Sequence, residues 1–148
     1  TLSSIGVREL LTKHRCAVIV GTPGAGKTTL LRYLAWASAQ PAAVRRERLG
    51  IDESMIPLWV TLREFAQARR KRPELSLERF ITARTCRDHS PDLRSTLRDS
   101  FHEGTALVLL DALDEVPREA ERRSLAQAIC TFSARYPRVR VVTSTRPY

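Results

Sequence analysis

The stretch Cys16-Ala17-Val18-Ile19-Val20-Gly21-Thr22-Pro23-Gly24-Ala25-Gly26-Lys27-Thr28-Thr29-Leu30-Leu31 decides the fold. Its first five residues form a short continuous apolar run, the pattern of a strand buried on both faces in a parallel sheet. A glycine-rich segment follows, and then an apolar helix over residues 27–39 that Pro41 stops. Leu30, Leu31, Leu34, Ala35 and Trp36 make this helix apolar nearly all round, so it is expected to be largely buried. Between strand and helix, residues 21–28 read G-x-x-x-x-G-K-[ST]. The glycines permit backbone angles closed to other residues, so successive N–H groups can turn inward toward one anion. The start of the helix adds its positive end at the same point. Gly21, Thr22, Pro23, Gly24, Ala25 and Gly26 are therefore the expected cradle for nucleoside triphosphate phosphates. Lys27 is expected to reach the β- and γ-phosphates, and the Thr28 hydroxyl to bind Mg2+. Thr29 is placed to donate to another phosphate oxygen.

A phosphate loop does not complete a metal site. The chemistry needs a carboxylate at the end of a neighbouring strand and a second one to orient water. Ala106-Leu107-Val108-Leu109-Leu110-Asp111 is an apolar strand whose final residue fits the first role. Asp114 and Glu115 follow closely and suit the second, and spacing does not choose between them. No Asn-Lys-x-Asp stretch of the kind used for guanine is present, which favours ATP over GTP.

Working outward, Ser3 or Ser4 is a cap for a first helix carrying Ile5, Val7, Leu10 and Leu11 on one face. The segment after Pro41 is polar and Arg-rich, with a loop after Gly50. Leu58-Trp59-Val60-Thr61-Leu62 reads as a second strand entered through Pro57, and Arg69-Arg70-Lys71-Arg72-Pro73 as an exposed basic break. Ser76 starts a helix using Leu77, Phe80 and Ile81. Ser90 caps another with Pro91 at its first position, Asp92 near its positive end and Gly104 just past its finish. Residues 119–136 make a helix with Leu125, Ala128, Ile129, Phe132 and Tyr136 on one stripe. Val139-Arg140-Val141-Val142-Thr143-Ser144 is a fourth strand. Strands alternating with helices imply a parallel α/β sheet with right-handed crossovers.

The totals agree. The 148 residues suit one domain, and 43% hydrophobic with 28% charged residues is a globular balance. No apolar run is long enough to span a bilayer as a helix. The net charge of +9 raises the question of nucleic acid. It is almost wholly Arg, since the lysines are Lys13, Lys27 and Lys71, and the basic runs lack interleaved aromatics, so such binding is not the expectation. Cys16, Cys86 and Cys130 form no C-x-x-C pair, which argues against zinc and a disulfide framework and for reduced core thiols in the cytoplasm. A chain that opens at Thr1 without Met and stops just after a strand reads as a piece of a longer protein.

The series Gly21 to Thr29 with Leu30-Leu31, then Ile56-Pro57-Leu58-Trp59-Val60-Thr61-Leu62-Arg63-Glu64-Phe65, then Leu109-Leu110-Asp111-Ala112-Leu113-Asp114-Glu115-Val116-Pro117, then Thr143-Ser144-Thr145-Arg146-Pro147, resembles the NACHT domain of the STAND class of signalling P-loop NTPases, relatives of AAA+ ATPases. The likeness runs from about Cys16 to the end, with Ala112 where glycine is common in that family. It implies a three-layer P-loop NTPase fold with a mostly parallel sheet of at least four strands, and residues 1–148 as one partial nucleotide-binding domain. It also implies a switch: ADP holds a closed monomer, and ATP favours an open form that oligomerises and activates an effector. On that pattern Lys27 and Thr28 bind phosphate and Mg2+, Asp111 supports the metal, Asp114 or Glu115 supports slow hydrolysis, and Arg146 is the sensor beside the γ-phosphate. Lid, winged-helix, effector and sensor regions belong elsewhere on the same chain, and a bacterial defence or innate-immunity type of regulator is the implied setting. Two alternatives stand beside it: a nucleotide-binding module without meaningful hydrolysis, and a nucleic-acid-associated AAA+ type ATPase using the basic runs.

Overall fold

The computed structural model describes residues 6–87 and 91–147. Its centre is a four-stranded, all-parallel sheet of β1 (Cys16–Val20), β2 (Ile56–Thr61), β3 (Ala106–Asp111) and β4 (Arg140–Thr145), in the order β1-β4-β3-β2. On one face lie α1 (Val7–Lys13), α2 (Lys27–Ser38) and α3 (Ala42–Leu49). On the other lie α4 (Leu62–Lys71), α5 (Leu77–Thr85), α6 (Pro91–Glu103) and α7 (Glu119–Arg135). The result is a three-layer α/β/α domain, the fold class expected from the sequence.

The central strands explain the layers. Side chains alternate along a strand, so β3 sends Leu107 and Leu109 into one core and Ala106, Val108 and Leu110 into the other. All six β3 residues are buried, as a strand covered by helices on both faces requires. Leu31 and Leu34 of α2 and Leu49 of α3 close the first core. Phe65, Ile81, Phe101, Leu125 and Phe132 close the second. There Phe101 meets Phe132 edge-on, with ring centroids 5.3 Å apart, an arrangement the aromatic quadrupole favours.

Several expectations need correction. Strand β1 is not buried on both faces. It is the edge strand, with Ala17 and Ile19 half-buried, whereas Val18 and Val20 are 63% and 57% exposed. The helices of the second layer cover β2, β3 and β4, and the core they build takes no residue from β1. Helix α2 buries one stripe, Leu31, Leu34, Ala37 and Ser38, while Trp36 is half exposed, because only one side of the helix meets the sheet. Cys86 is a core thiol, but Cys16 and Cys130 are exposed.

Two helices stand where no helix is expected. In α3 the Arg-rich pattern hides the fold: Leu49 is buried, and the buried Arg45 donates from Nη1 to the Gln40 carbonyl at 2.6 Å and from Nη2 to that of Asp52 at 2.9 Å. Gly50, at φ 70°, ends it in the left-handed conformation. In α4, Leu62 leaves strand β2 and starts a helix that buries Phe65 and Ala66. The basic residues 69–71 are its last turn, where positive charge suits the helix dipole.

Ser76 caps α5, its hydroxyl accepting the Arg79 N–H at 3.2 Å. Pro91 opens α6 and Gly104 follows its end as expected, and the stripe on α7 faces the core. Ser3, Ser4, Ile5 and Ser90 lie outside the described residues. Among the described residues no helix is long and apolar enough to cross a membrane.

Because Leu109 is fully buried at the centre of the sheet and Trp36 is half exposed, the larger side chain should matter less. Leu109→Ala should lower unfolding stability by about 2–5 kcal/mol in urea titrations, and Trp36→Ala by less than about 1 kcal/mol. Equal losses would contradict the burial assigned to these two positions.

Candidate nucleotide site

Parallel strands align their C-terminal ends along one edge of a sheet, and ligands of open α/β sheets bind just outside that edge. Strand β1 delivers the loop of residues 21–26 there, β3 delivers Asp111, and β4 delivers Ser144 and Arg146. One hollow of about 320 Å³ gathers these groups, its lining running from Pro23 to Thr29 and taking in Asp111, Ala112, Asp114, Glu115, Ser144 and Arg146. Another hollow of about 330 Å³ opens near Leu77, Phe132 and Arg135, among the helices of the second layer. It contains no glycine loop and no strand end.

The loop has the backbone shape its sequence allows. Gly24 and Gly26 sit at φ 79° and 81°, where an added Cβ would meet open space but would strain the chain. Gly26 is also the N-cap of α2, so the first turn of that 12-residue helix faces the hollow. Lys27 folds back over the loop, its Nζ donating to the carbonyls of Gly21 at 2.6 Å and Thr22 at 3.1 Å. The ammonium is thus held against backbone oxygens rather than packed in the core. Thr29 is exposed beside it.

Thr28 faces the end of β3. Its hydroxyl lies 3.2 Å from Oδ1 and 3.1 Å from Oδ2 of Asp111, a carboxylate that is 9% exposed. The Ser144 hydroxyl donates to Asp111 Oδ1 at 2.7 Å and accepts the Ala112 N–H at 2.8 Å. These are hard oxygen donors, the kind Mg2+ takes, and Mg2+ commonly relies on one or two protein oxygens plus phosphate and water. No group of three or more His, Cys, Asp or Glu side chains suited to a metal occurs among the described residues. The set therefore fits a cation shared with phosphate, not a protein-only cage.

Beyond Asp111 the chain turns sharply. Ala112 is left-handed, at φ 63° and ψ 58°, and is the non-glycine residue with positive φ among the described residues. A short 3-10 turn, Leu113–Glu115, follows and carries the two remaining acids. The Asp114 side chain is 9% exposed and its Oδ2 is 2.7 Å from Nε of Arg146. Glu115 is exposed and borders the hollow. Every sequence-predicted residue from Pro23 to Thr29, and Asp111, Asp114, Glu115 and Arg146, thus reaches one place, and Gly21 and Thr22 adjoin it as the acceptors for Lys27.

Ser144 was not among the predicted site residues. A signal for it exists: Leu110 pairs with Thr143, so one step on the register sets Asp111 beside Ser144. A hydroxyl ending an apolar strand next to an acid that ends its neighbour is a pairing the sequence contains.

Comparison with known proteins agrees with this geometry. Residues 15–148 match the NACHT domain. An uncharacterized WD repeat-containing protein of Nostoc sp. is 29% identical over 108 residues, which is 72% of this chain and 7% of that relative. This chain therefore spans a small part of the length of the curated relative it matches. With the match covering nearly all of its length, the chain belongs to the NACHT domain family and is a nucleotide-binding NTPase module.

Proposed function

We propose that this chain is the nucleotide-switch domain of a larger STAND-type signalling protein, binding ATP with Mg2+ and hydrolysing it slowly to control self-association and an attached effector. The observation that carries the reading is the convergence in one hollow of the glycine loop, the Thr28–Asp111 contact and the Asp114–Arg146 pair. Residues 1–148 then form one nucleotide-binding domain of that protein, and the WD repeat-containing relative supports further domains on the same chain. A cytoplasmic setting follows from the nucleotide it would use.

The roles divide by chemistry. Loop amides and the first turn of α2 hold phosphate oxygens. Lys27 leaves its two carbonyls to reach the β- and γ-phosphates, a short swing because its Nζ already sits at the mouth of the loop. Thr28 and Asp111 hold the cation, which when bound neutralises charge on the β- and γ-phosphates. Between the acids, the structure favours a division. Asp114 is nearly buried and committed to Arg146, and a buried carboxylate without a partner is costly. Glu115 is exposed at the rim, free to orient water and take its proton. Asp114 then fixes where Arg146 points, ready to be redirected toward the γ-phosphate.

Internal partners of several arginines weigh against the nucleic-acid reading. Arg70 forms a two-pronged pair with Glu121 at 2.7 and 2.9 Å, holding that carboxyl below its usual range through the hydrogen bond. Arg69 donates to the Leu75 carbonyl and to Ser124, and lies 5.7 Å over the Phe65 ring. Arg46 is paired with Asp52, and Arg45 is buried. Part of the basic sequence is thus committed to partners within the domain.

Two experiments test the reading. Lys27→Ala should weaken ATP binding about 10- to 100-fold, the worth of charged hydrogen bonds, while thermal unfolding stays near wild type. Calorimetry showing unchanged affinity would refute the role of Lys27. In single-turnover hydrolysis Glu115→Gln should slow the reaction about 10²- to 10⁴-fold with affinity retained, and Asp114→Asn should cost less. A larger loss in Asp114→Asn would reverse the assignment, and no loss in either would favour a module that only binds.

A further inference from the structure

We infer that Ser144 is a positioning residue for the cation side of the site, a hydroxyl that aims the Asp111 carboxylate and holds the turn that follows it. The inference rests on the proposed reading that Thr28 and Asp111 share Mg2+ with a bound nucleotide. Its own basis is geometric. A serine hydroxyl has one proton to donate and lone pairs to accept with. The Ser144 oxygen accepts the Ala112 N–H at 2.8 Å, so its single proton is directed elsewhere, and Asp111 Oδ1 lies 2.7 Å away. That is the shorter contact to Asp111. Thr28, at 3.1 and 3.2 Å, is held less closely and is free to turn toward a cation.

Ser144 is 0% exposed, with its hydroxyl satisfied on both sides. A buried group of that kind orients its neighbours and does not itself react. Partners that hydrogen-bond a metal-binding carboxylate fix its direction and so set how well it binds. The second contact acts on the backbone. Ala112 carries a Cβ in the left-handed region, which a residue other than glycine adopts at a cost, and its N–H is the group that Ser144 holds. The same turn leads into Leu113–Glu115 and places Asp114 against Arg146. One hydroxyl on β4 thereby links the metal carboxylate, the strained turn and the acids beyond it.

The test measures ATPγS affinity of the purified chain by calorimetry, with Mg2+ and again in EDTA, taking the ratio as the gain due to the cation. Ser144→Ala should cut that gain about 10- to 100-fold and leave affinity in EDTA within about twofold of wild type. A second substitution, Ala112→Gly, should restore thermal stability to the Ser144→Ala protein by relieving the left-handed turn, without restoring the gain. If Ser144→Ala does not fold, Ser144→Cys keeps nearly the same size with a far weaker donor and gives the same readout. An undiminished gain in the folded variant would overturn the inference. So would a gain recovered fully by Ala112→Gly, because Ser144 would then act through the backbone alone. A wild-type chain that binds ATPγS equally with and without Mg2+ would instead fail the underlying cation reading, and the two failures are distinct.

Discussion

The contact between Thr28 and Asp111 joins two parts of the chain that are 83 residues apart, and the site depends on it. It exists because β1 and β3 run parallel, with β4 between them, so the ends of all three reach the same edge. The cores on the two faces of β3 hold that alignment, and a shift of one residue would send each of its side chains into the opposite core. The stability of the sheet and the geometry of the site are the same constraint.

Three charged groups at this edge are each held by partners. Lys27 rests on backbone carbonyls, Asp111 on two hydroxyls, and Asp114 on Arg146. The Asp111–Ser144 contact is buried, whereas the Asp114–Arg146 pair opens to solvent on one side, Arg146 being 49% exposed and Asp114 9% exposed. On the proposed reading, Lys27 and Arg146 would exchange these contacts for stronger charge-assisted bonds to phosphate oxygens. The proposed switch calls for side chains that are ordered in advance and still able to change partners.

How much of this was legible in the sequence depended on the kind of signal. The glycine loop is legible because each fixed position has a backbone or charge requirement, and the structure sets Gly24 and Gly26 at the positive angles that the pattern implies. Strand β3 is legible because an all-apolar run ending in one acid has few other readings. Helices α3 and α4 were not, because their arginines suggest an exposed coil while Arg45 is in fact buried on two carbonyls and Arg69 covers an aromatic ring. Long basic side chains carry apolar stems, which composition counts as charge. The edge position of β1 is a matter of sheet order, which local periodicity does not encode, and it explains the exposed Val18 and Val20. Ser144 needed the β3–β4 register, and that becomes visible only once the strands are paired.

The central claim is that loop amides within residues 24–28 form the phosphate cradle of this NACHT domain, Pro23 having no N–H and the Gly21 N–H being bonded to the Thr145 carbonyl. Hydrogen–deuterium exchange measured residue by residue, with and without saturating ATP and Mg2+, addresses it directly. Exchange should slow markedly at the loop amides and at the first turn of α2, and should change little at Ala112, whose N–H is already bonded to Ser144. Loop amides that exchange equally fast in both conditions, under nucleotide concentrations shown to saturate the protein, would contradict the account.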